Sequence, residues 1–334
     1  MSQTAPKLIT GMGAALVDLF ADIDDAGLQA LGSPKASMSL IDAERSVAMR
    51  ENLHVHTQRA GGSAANTIAG LAALGQETGF IGKIGDDALG ALFSDSMTDL
   101  GVRFPVTPLD AEAHPTGHCL VLVTPDAERT MHTVLGASVT TAPEDLNNDL
   151  LAQTGLIFAE GYIWDAEPGR AAFTQAARQV RAQGGQAAFS LADAYCVDRH
   201  RAAFHRLLTE DIDIVLANLA EAHALFETDN FDEVIAGMRG LGLLGVVTMS
   251  AEGAMVIDHD TVERVPAVAV DDVQDLTGAG DQFAAGFFAG LVNGQTPAQA
   301  AGIGVVMASE VIRHFGPRPQ SDLAALMQRH GLSL

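Results

Sequence analysis

Residues Asp275-Leu276-Thr277-Gly278-Ala279-Gly280-Asp281 combine two carboxylates with three residues of little or no side chain, and they lead into an apolar, helix-like stretch from Gln282 to Leu291. Small residues at Gly278, Ala279 and Gly280 let backbone N–H groups converge, and a helix start adds the positive end of its dipole. Together these can hold a phosphate oxyanion. Asp281 then lies beside the phosphate that is to move, placed to orient an attacking hydroxyl and accept its proton late. Neighbouring N–H donors predict a low resting pKa for it. The competing reading is a glycine-rich turn in which Asp281 is the N-cap of an ordinary helix.

A second element has matching chemistry. Gly61-Gly62-Ser63-Ala64-Ala65-Asn66 precedes a small, apolar helical pattern from Thr67 to Leu74 that stops at Gly75. Backbone can approach a polyhydroxylated substrate at the two glycines while Asn66 bonds its hydroxyls, although paired glycines before a helix also make a common turn.

The two elements together resemble the signatures of the ribokinase-like kinases of sugars and nucleosides. Further matches run in the family's order: Gly13 to Asp18, Gly82-Lys83-Ile84-Gly85-Asp86-Asp87, Asn218-Leu219-Ala220-Glu221 and Thr248-Met249-Ser250-Ala251-Glu252-Gly253. The resemblance implies a single α/β domain over residues 1–334, a three-layer α/β/α core around a mainly parallel sheet, with a small β lid formed by insertions at about 16–59 and 102–134. It also implies ATP and Mg²⁺, with K⁺ in many members. By the same resemblance Asp18 accepts hydrogen bonds from two substrate hydroxyls, and Asn218 and Glu221 order the waters of Mg²⁺. Thr248, Ser250 and Gly253 fall in the ATP segment, with Ser250 where glycine is usual, and Asp275 and Thr277 line a monovalent-cation site. Members occur as monomers and as lid-joined homodimers.

Composition bounds the partners. The 334 residues can bury a large core, and a hydrophobic fraction of 48% excludes general disorder. A formal net charge of −23, from 42 acidic and 19 basic residues, opposes approach to nucleic acid or an anionic membrane. An acidic protein that binds a nucleotide needs local compensation from helix N-termini, a metal ion and a few placed arginines. The two cysteines, Cys119 and Cys196, are far apart and have no zinc spacing, which points to a reducing cytoplasm. Met1 to Lys7 shows no apolar leader, and Ala284 to Val292 is too short to cross a bilayer. The Gly286 and Gly290 pair inside that run is expected to let the helix pack closely on a sheet.

Short apolar runs alternate with helical patterns, as in a parallel sheet covered by helices. Leu156 to Ala159, Ala187 to Leu191, Ile212 to Ala217 and Gly245 to Met249 read as buried strands. Gly169 to Gln183, Arg199 to Leu208 and Phe231 to Leu241 read as helices, as do Gly278 to Gly294, Pro297 to Phe315 and Asp322 to Leu332. Two regions break the rhythm: Ala21 to Arg59 is polar, and Val102 to Val134 alternates like strands but contains Pro105, Pro108 and Pro115. Leu8 to Val17 reads as one strand-like segment with Asp18 at its end. His54, His56, His114, His118 and His132 show no ligand spacing and read as polar residues of the lid segments.

Arg129 is a candidate for the transferred phosphate, with a surface turn as its alternative. Asn218 and Glu221 follow a strand at its carboxyl end, where open α/β sheets bind ligands; a capping Asn with a solvated Glu is the plainer reading. Tyr162 and Trp164 also follow a strand and offer flat faces on which a nucleobase can stack, or they pack the edge of the core. His114-Pro115-Thr116-Gly117-His118-Cys119 and the Ser190 to Arg201 segment resemble adenosine kinases, which favours adenosine as acceptor over ribose, fructose or 2-keto-3-deoxygluconate. A non-catalytic nucleotide or sugar sensor is the alternative of another class. The sequence has no Gly-x-x-x-x-Gly-Lys-Ser/Thr loop and no Gly-x-Gly-x-x-Gly fingerprint between a strand and a helix.

Overall fold

The computed structural model describes residues 8–126 and 128–333. Met1 to Lys7, the segment without an apolar leader pattern, Ala127 beside the Arg129 turn, and Leu334 lie outside them. In chain order the strands are β1 (Leu8–Met12), β2 (Leu16–Asp22), β3 (Met38–Leu40), β4 (Val55–Gly61), β5 (Thr78–Ile81), β6 (Gly117–Val123) and β7 (Arg129–Val134). They continue as β8 (Thr154–Glu160), β9 (Gln186–Ser190), β10 (Ile214–Asn218), β11 (Leu244–Thr248), β12 (Ala254–Ile257) and β13 (Val262–Val265). The helices are α1 (Asp25–Ala30), α2 (Ala43–Arg50), α3 (Ser63–Ala73), α4 (Ala88–Asp99), α5 (Asn148–Leu151) and α6 (Glu167–Ala182). After them come α7 (Ala194–Glu210), α8 (Leu219–Phe226), α9 (Phe231–Leu241), α10 (Ala279–Val292), α11 (Pro297–Val311) and α12 (Leu323–Arg329).

The first sheet has eight strands in the order β13-β12-β11-β10-β9-β8-β1-β5. Strands β5, β1, β8, β9, β10 and β11 run parallel, and β12 and β13 add an antiparallel edge. Parallel strands covered on both faces need apolar residues on both, and β10 shows how they divide: Ile214 and Leu216 join the core on one side, Val215 and Ala217 the core on the other. The fold is therefore α/β with helices layered on a mostly parallel sheet. Every strand and helix span read from apolar periodicity in residues 156–332 lies on an observed element of the same type, with ends shifted by a few residues.

The second sheet has five strands in the order β3-β7-β6-β2-β4. It draws on residues 16–61, with α1 and α2 between its strands, and on residues 117–134. The stretch 102–116, expected with it, instead follows the edge of the first sheet through isolated bridges of Arg103 to Gly79 and Leu109 to Gly85. Pro105, Pro108 and Pro115 lack the N–H that a continuous ladder needs. The single strand expected over Leu8 to Val17 is divided between the two sheets. Gly13 lets the chain cross: a Cβ there would come within 2.8 Å of the Glu160 carboxyl. Asp18 consequently lies within β2, opposite Arg59 of β4 and Cys119 of β6, and not at a strand end.

His118 and His132 are interior residues, not surface ones. His118 bonds Ser46 Oγ at 2.7 Å, and His132 bonds Ser33 and Ser39 hydroxyls at 2.9 and 2.8 Å, tying the inserted segment to β6 and β7. Burial lowers both imidazole pKa values. Gly286 and Gly290 serve a helix rather than a sheet: added Cβ atoms would lie 2.8 Å from Gly304 Cα and 2.7 Å from Ala300 Cα, both on α11. No helix among the described residues is long and apolar enough to cross a membrane.

Candidate active site

Gly278 caps α10 at φ +82°, where a Cβ would meet Pro317 Cα at 2.5 Å, so glycine is required twice over. Gly280 has open space where its Cβ would be. The Ala279 N–H bonds Leu276 O at 3.2 Å, which leaves the first-turn N–H groups of Gly280 and Asp281 as the donors with no carbonyl one turn back. Asp281 thus belongs to the first turn of α10 and is not its N-cap. On the facing helix, Gly62 adopts φ +92° with its Cα so close to Ala14 O that a Cβ would lie 2.3 Å from it. This starts α3 at Ser63, whose hydroxyl donates to Asp281 Oδ1 at 2.7 Å, while Asn66 Nδ2 donates to Oδ2 at 3.2 Å. Gln282 fixes the register of the two helices by donating to Asn66 O at 3.0 Å and Pro317 O at 2.9 Å.

Burial raises the Asp281 pKa to about 6, against the pull of Ser63, Asn66 and Arg318. The low value expected from the helix start does not hold, because desolvation outweighs the donors. Asp18 is likewise raised to about 6 by burial, with Arg318 and Arg129 pulling it down and Asp281 pushing it up. Gly61 is the residue that makes room for Asp18: a Cβ would lie 2.5 Å from its carboxylate.

Two groups at this site escaped the sequence reading. Glu160, at the end of β8, accepts from Ala14 N at 2.9 Å and Ala64 N at 2.5 Å, and burial raises its pKa to about 7. An acid closing the apolar run Leu156 to Ala159 was the available signal. Arg318, in the loop before α12, donates to Asn66 Oδ1 at 3.3 Å and Ser96 Oγ at 2.8 Å. No periodic pattern marks that loop.

The cleft over these groups measures about 290 Å³ and is lined by Thr67, Tyr162, Asn218, Glu221 and Thr248 together with the Gly278 to Asp281 turn. Asn218 and Glu221 form a reciprocal cap: Asn218 Oδ1 accepts from Glu221 N at 2.9 Å, and Glu221 accepts from Asn218 N at 2.9 Å and Nδ2 at 2.5 Å. Glu221 is buried, not solvated, and burial raises its pKa to about 7. A carboxylate held this way gains from a nearby cation, and its hard oxygens suit Mg²⁺. No group of three or more His, Cys, Asp or Glu residues could hold a metal among the described residues. The Asn218 and Glu221 oxygens, two hard donors at the edge of the cleft, fit an ion that keeps most of its waters.

Ser250 and Gly253 are not among the cleft-lining residues. Ser250 is exposed at φ +51°, the backbone conformation that a glycine takes without strain. Gly253 at φ +95° abuts β13, where a Cβ would lie 2.0 Å from Val265 O. Its role in the turn before β12 is structural.

Asp275 does not fit a monovalent cation. Its Oδ2 pairs with Arg129 at 2.7 Å and accepts from Gly316 N at 2.9 Å, while Oδ1 accepts from Thr277 N at 3.0 Å. Burial pushes this carboxylate up, but the Gly316 N–H, Arg129 and Thr277 outweigh it and hold the pKa below the usual value. Arg129 also donates to Thr277 Oγ1 and lies over the Phe315 ring, 5.9 Å from its centroid. A guanidinium from the second sheet occupies the atoms expected to coordinate K⁺. Arg129 accordingly reaches the turn that starts α10 through Asp275 and Thr277.

Trp164 belongs to the core. It is 4% exposed, with Phe189 and Phe204 edge-on at 5.2 and 5.9 Å, and presents no face to a ligand. Tyr162 is only partly buried and lines both the main cleft and a smaller apolar crevice with Leu135, Val139 and Ile163.

The family model described as pfkB family carbohydrate kinase matches residues 36–323. The chain is 25% identical over 266 residues to the 5-dehydro-2-deoxygluconokinase of Geobacillus thermodenitrificans, covering 77% of this chain and 79% of that protein. Among solved structures, a probable sugar kinase protein from Rhizobium etli superposes with a TM-score of 0.91 at 35% identity, covering 99% of this chain and 100% of the other. The adenosine kinase from Sinorhizobium meliloti superposes at 0.90 with 38% identity, covering 98% and 100%.

The burial of Trp164, the sole tryptophan, has a direct spectroscopic consequence. Its emission should be blue-shifted and poorly quenched by acrylamide in the native protein. Saturating purine nucleoside should leave the intensity within about 10% of its starting value, since stacking requires ring contact that the indole does not offer. Strong quenching by the nucleoside would return Trp164 to the acceptor site.

Proposed function

The chain belongs to the pfkB family of carbohydrate kinases, and from that premise we propose that this ATP-dependent kinase of a sugar or nucleoside hydroxyl phosphorylates the primary hydroxyl of a ribofuranosyl acceptor, best represented by adenosine. The carrying observation is Asp281: a recessed carboxylate at the start of α10, bonded by Ser63 and Asn66 and titrating near 6. A base needs a pKa near the working pH and a place beside the reacting phosphate; the raised pKa of Asp281 and its position in the first turn of α10 support that role.

ATP is assigned to the cleft at the carboxyl ends of β9 to β11, with its γ-phosphate at the free N–H groups of the Gly278 to Asp281 turn. The acceptor oxygen attacks the γ-phosphorus in line, the bond to the β-phosphate oxygen breaks, and ADP leaves. The hydroxyl proton passes to Asp281. Ser63 and Asn66 keep the carboxylate aimed during that transfer, and Asp18, made accessible by Gly61, takes the acceptor's other hydroxyls. Asn218 and Glu221 would hold hydrated Mg²⁺, which supplies charge neutralisation at the phosphates. The second sheet, tied to the anion turn by Arg129, acts as the lid that keeps water, a competing acceptor, from the γ-phosphate.

Two observations support adenosine. The Sinorhizobium meliloti structure that superposes at 38% identity is an adenosine kinase. The crevice beside Tyr162 has Leu135, Val139 and Ile163 in its wall along with Ser138, Thr141 and Asp165, an apolar face with a few polar groups at hand, which suits a base better than a hydroxyl-rich ring. The Rhizobium etli neighbour, described as a probable sugar kinase, carries the alternative of a sugar acceptor in the same phosphoryl site.

Asp281→Asn should lower kcat by about 10²–10⁴-fold while ATP affinity and thermal stability stay close to wild type. The ionised base is lost on acidification, so kcat/KM should fall as pH drops through about 6, the Asp281 value. Turnover with adenosine, other nucleosides, ribose, fructose and 2-keto-3-deoxygluconate, measured as ADP formed with Mg²⁺ and ATP, should be highest for adenosine. Turnover of a sugar alone would keep the Asp281 chemistry and replace the acceptor. Normal activity in Asp281→Asn would remove the base assignment, and silence with every acceptor would favour a sensor.

A further inference from the structure

Arg318 is carried by Gly316-Pro317-Arg318-Pro319, a loop stiffened on both sides of the arginine by proline. Gly316 N donates to Asp275 at 2.9 Å and Pro317 O accepts from Gln282 at 2.9 Å, so the loop is bolted to both ends of the anion-binding turn. From this anchorage the side chain reaches α3 and α4, donating to Asn66 Oδ1 at 3.3 Å and Ser96 Oγ at 2.8 Å. Its Nη2 is buried with no hydrogen-bond partner among the described residues, and it makes none of the ion pairs found there.

Asn66 stands between Arg318 and Asp281, and an amide has one accepting and one donating end. Turned as observed, its oxygen meets the guanidinium and its N–H₂ meets the Asp281 carboxylate. Turned over, the amide would set oxygen against carboxylate and N–H against guanidinium, both repulsive. The arginine therefore dictates which end of Asn66 the base receives. Its charge also acts on two carboxylates at once, lowering the pKa of both Asp18 and Asp281 against burial.

We propose that Arg318 is a positioning residue of the phosphoryl-transfer centre, locking the Asn66 amide toward Asp281 and supplying the positive charge under which Asp18 and Asp281 coexist as carboxylates. The proposal rests on Asp281 being the base only for its effect on rate. Its effect on Asp281 in the free protein does not depend on that reading. The groups facing Asp281 are Ser63 and Asn66 from α3, Asp18 from β2, Glu160 from β8 and Arg318; Arg129 from β7 acts on Asp18. Arg318 is the cation that acts on both Asp18 and Asp281, so its removal must move the pair.

The test follows the Asn66 side-chain amide by ¹⁵N NMR across pH in the free protein, together with the pH profile of kcat/KM. In wild type the amide signal should titrate with Asp281, near 6. In Arg318→Gln the midpoint should rise by about one unit, in line with loss of one neighbouring opposite charge, and the acid limb of kcat/KM should rise with it. Arg318→Lys keeps the charge but not the planar fork, so its midpoint should stay near wild type while kcat falls; this variant carries the test should Arg318→Gln fail to fold. An unmoved midpoint in Arg318→Gln overturns the proposal, as does a midpoint in Arg318→Lys raised by about one unit or an unchanged kcat in that variant. A loss confined to acceptor or ATP KM, with both midpoints unmoved, would make Arg318 a substrate contact instead. A moved midpoint accompanied by full activity in Asp281→Asn would retain Arg318's electrostatic role and discard the base.

Discussion

The site depends on keeping one carboxylate buried, ionisable and aimed. Asp281 loses water by sitting at the junction of α3 and α10, and that loss raises its pKa to about 6. Two directed donors and one charge offset it, and they come from two distant parts of the chain: Ser63 and Asn66 from α3, the charge of Arg318 from the loop before α12. The register between the helices is therefore the quantity the fold must hold. Gln282, the next residue after the carboxylate, holds it by bonding the Asn66 and Pro317 carbonyls. Its amide links the three segments that surround Asp281, and its backbone position makes the linkage unavoidable.

The same centre resolves the conflict between a strongly acidic chain and anionic reactants. Asp18, Asp281, Glu160 and Glu221 all have pKa values raised by burial, so the site already resists negative charge before a nucleotide arrives. Its compensation is local and mostly fixed. Arg318 is held behind the carboxylates by two prolines and two hydrogen bonds, and Arg129 is delivered by the second sheet onto Asp275. The anion turn adds N–H groups that cannot be screened by side chains because Gly278 and Gly280 have none. A net charge of −23 therefore describes the outer surface and has little bearing on the floor of the cleft.

What could be read from the sequence was what is local in it. The Gly-Ala-Gly-Asp turn, the glycines before Asn66 and the buried strands are each specified within a dozen residues, and the structure brings Gly61, Asp18, Asn66 and Asp281 into one neighbourhood. What escaped depends on pairing across the chain. Asp18 looked like a strand end because nothing in Leu8 to Val17 announces that Gly13 passes under Glu160 into another sheet. The place of Trp164 after a strand and its flat face suggest a ligand role as readily as a core one, yet Phe173, Phe189 and Phe204 converge on it from three separate elements. Arg318 and the Arg129 to Asp275 pair were invisible for the same reason: an isolated arginine has no period, and its partner is fixed only by the tertiary fold.

Division of labour follows from where these groups are mounted. Asp281, Ser63 and Asn66 sit on the first turns of two packed helices, α10 itself being buried along most of its length, so these three side chains can move little without disrupting the core. The crevice beside Tyr162 is built instead from short turns, Gly136–Thr140 and Gly161–Asp165, and from the end of the second sheet. Substitutions there change the shape of the crevice without touching the donors to Asp281. The groups around Asp281 and those around Tyr162 are thus mounted on different elements, so the shape beside Tyr162 can vary while the helices that hold Asp281 stay the same.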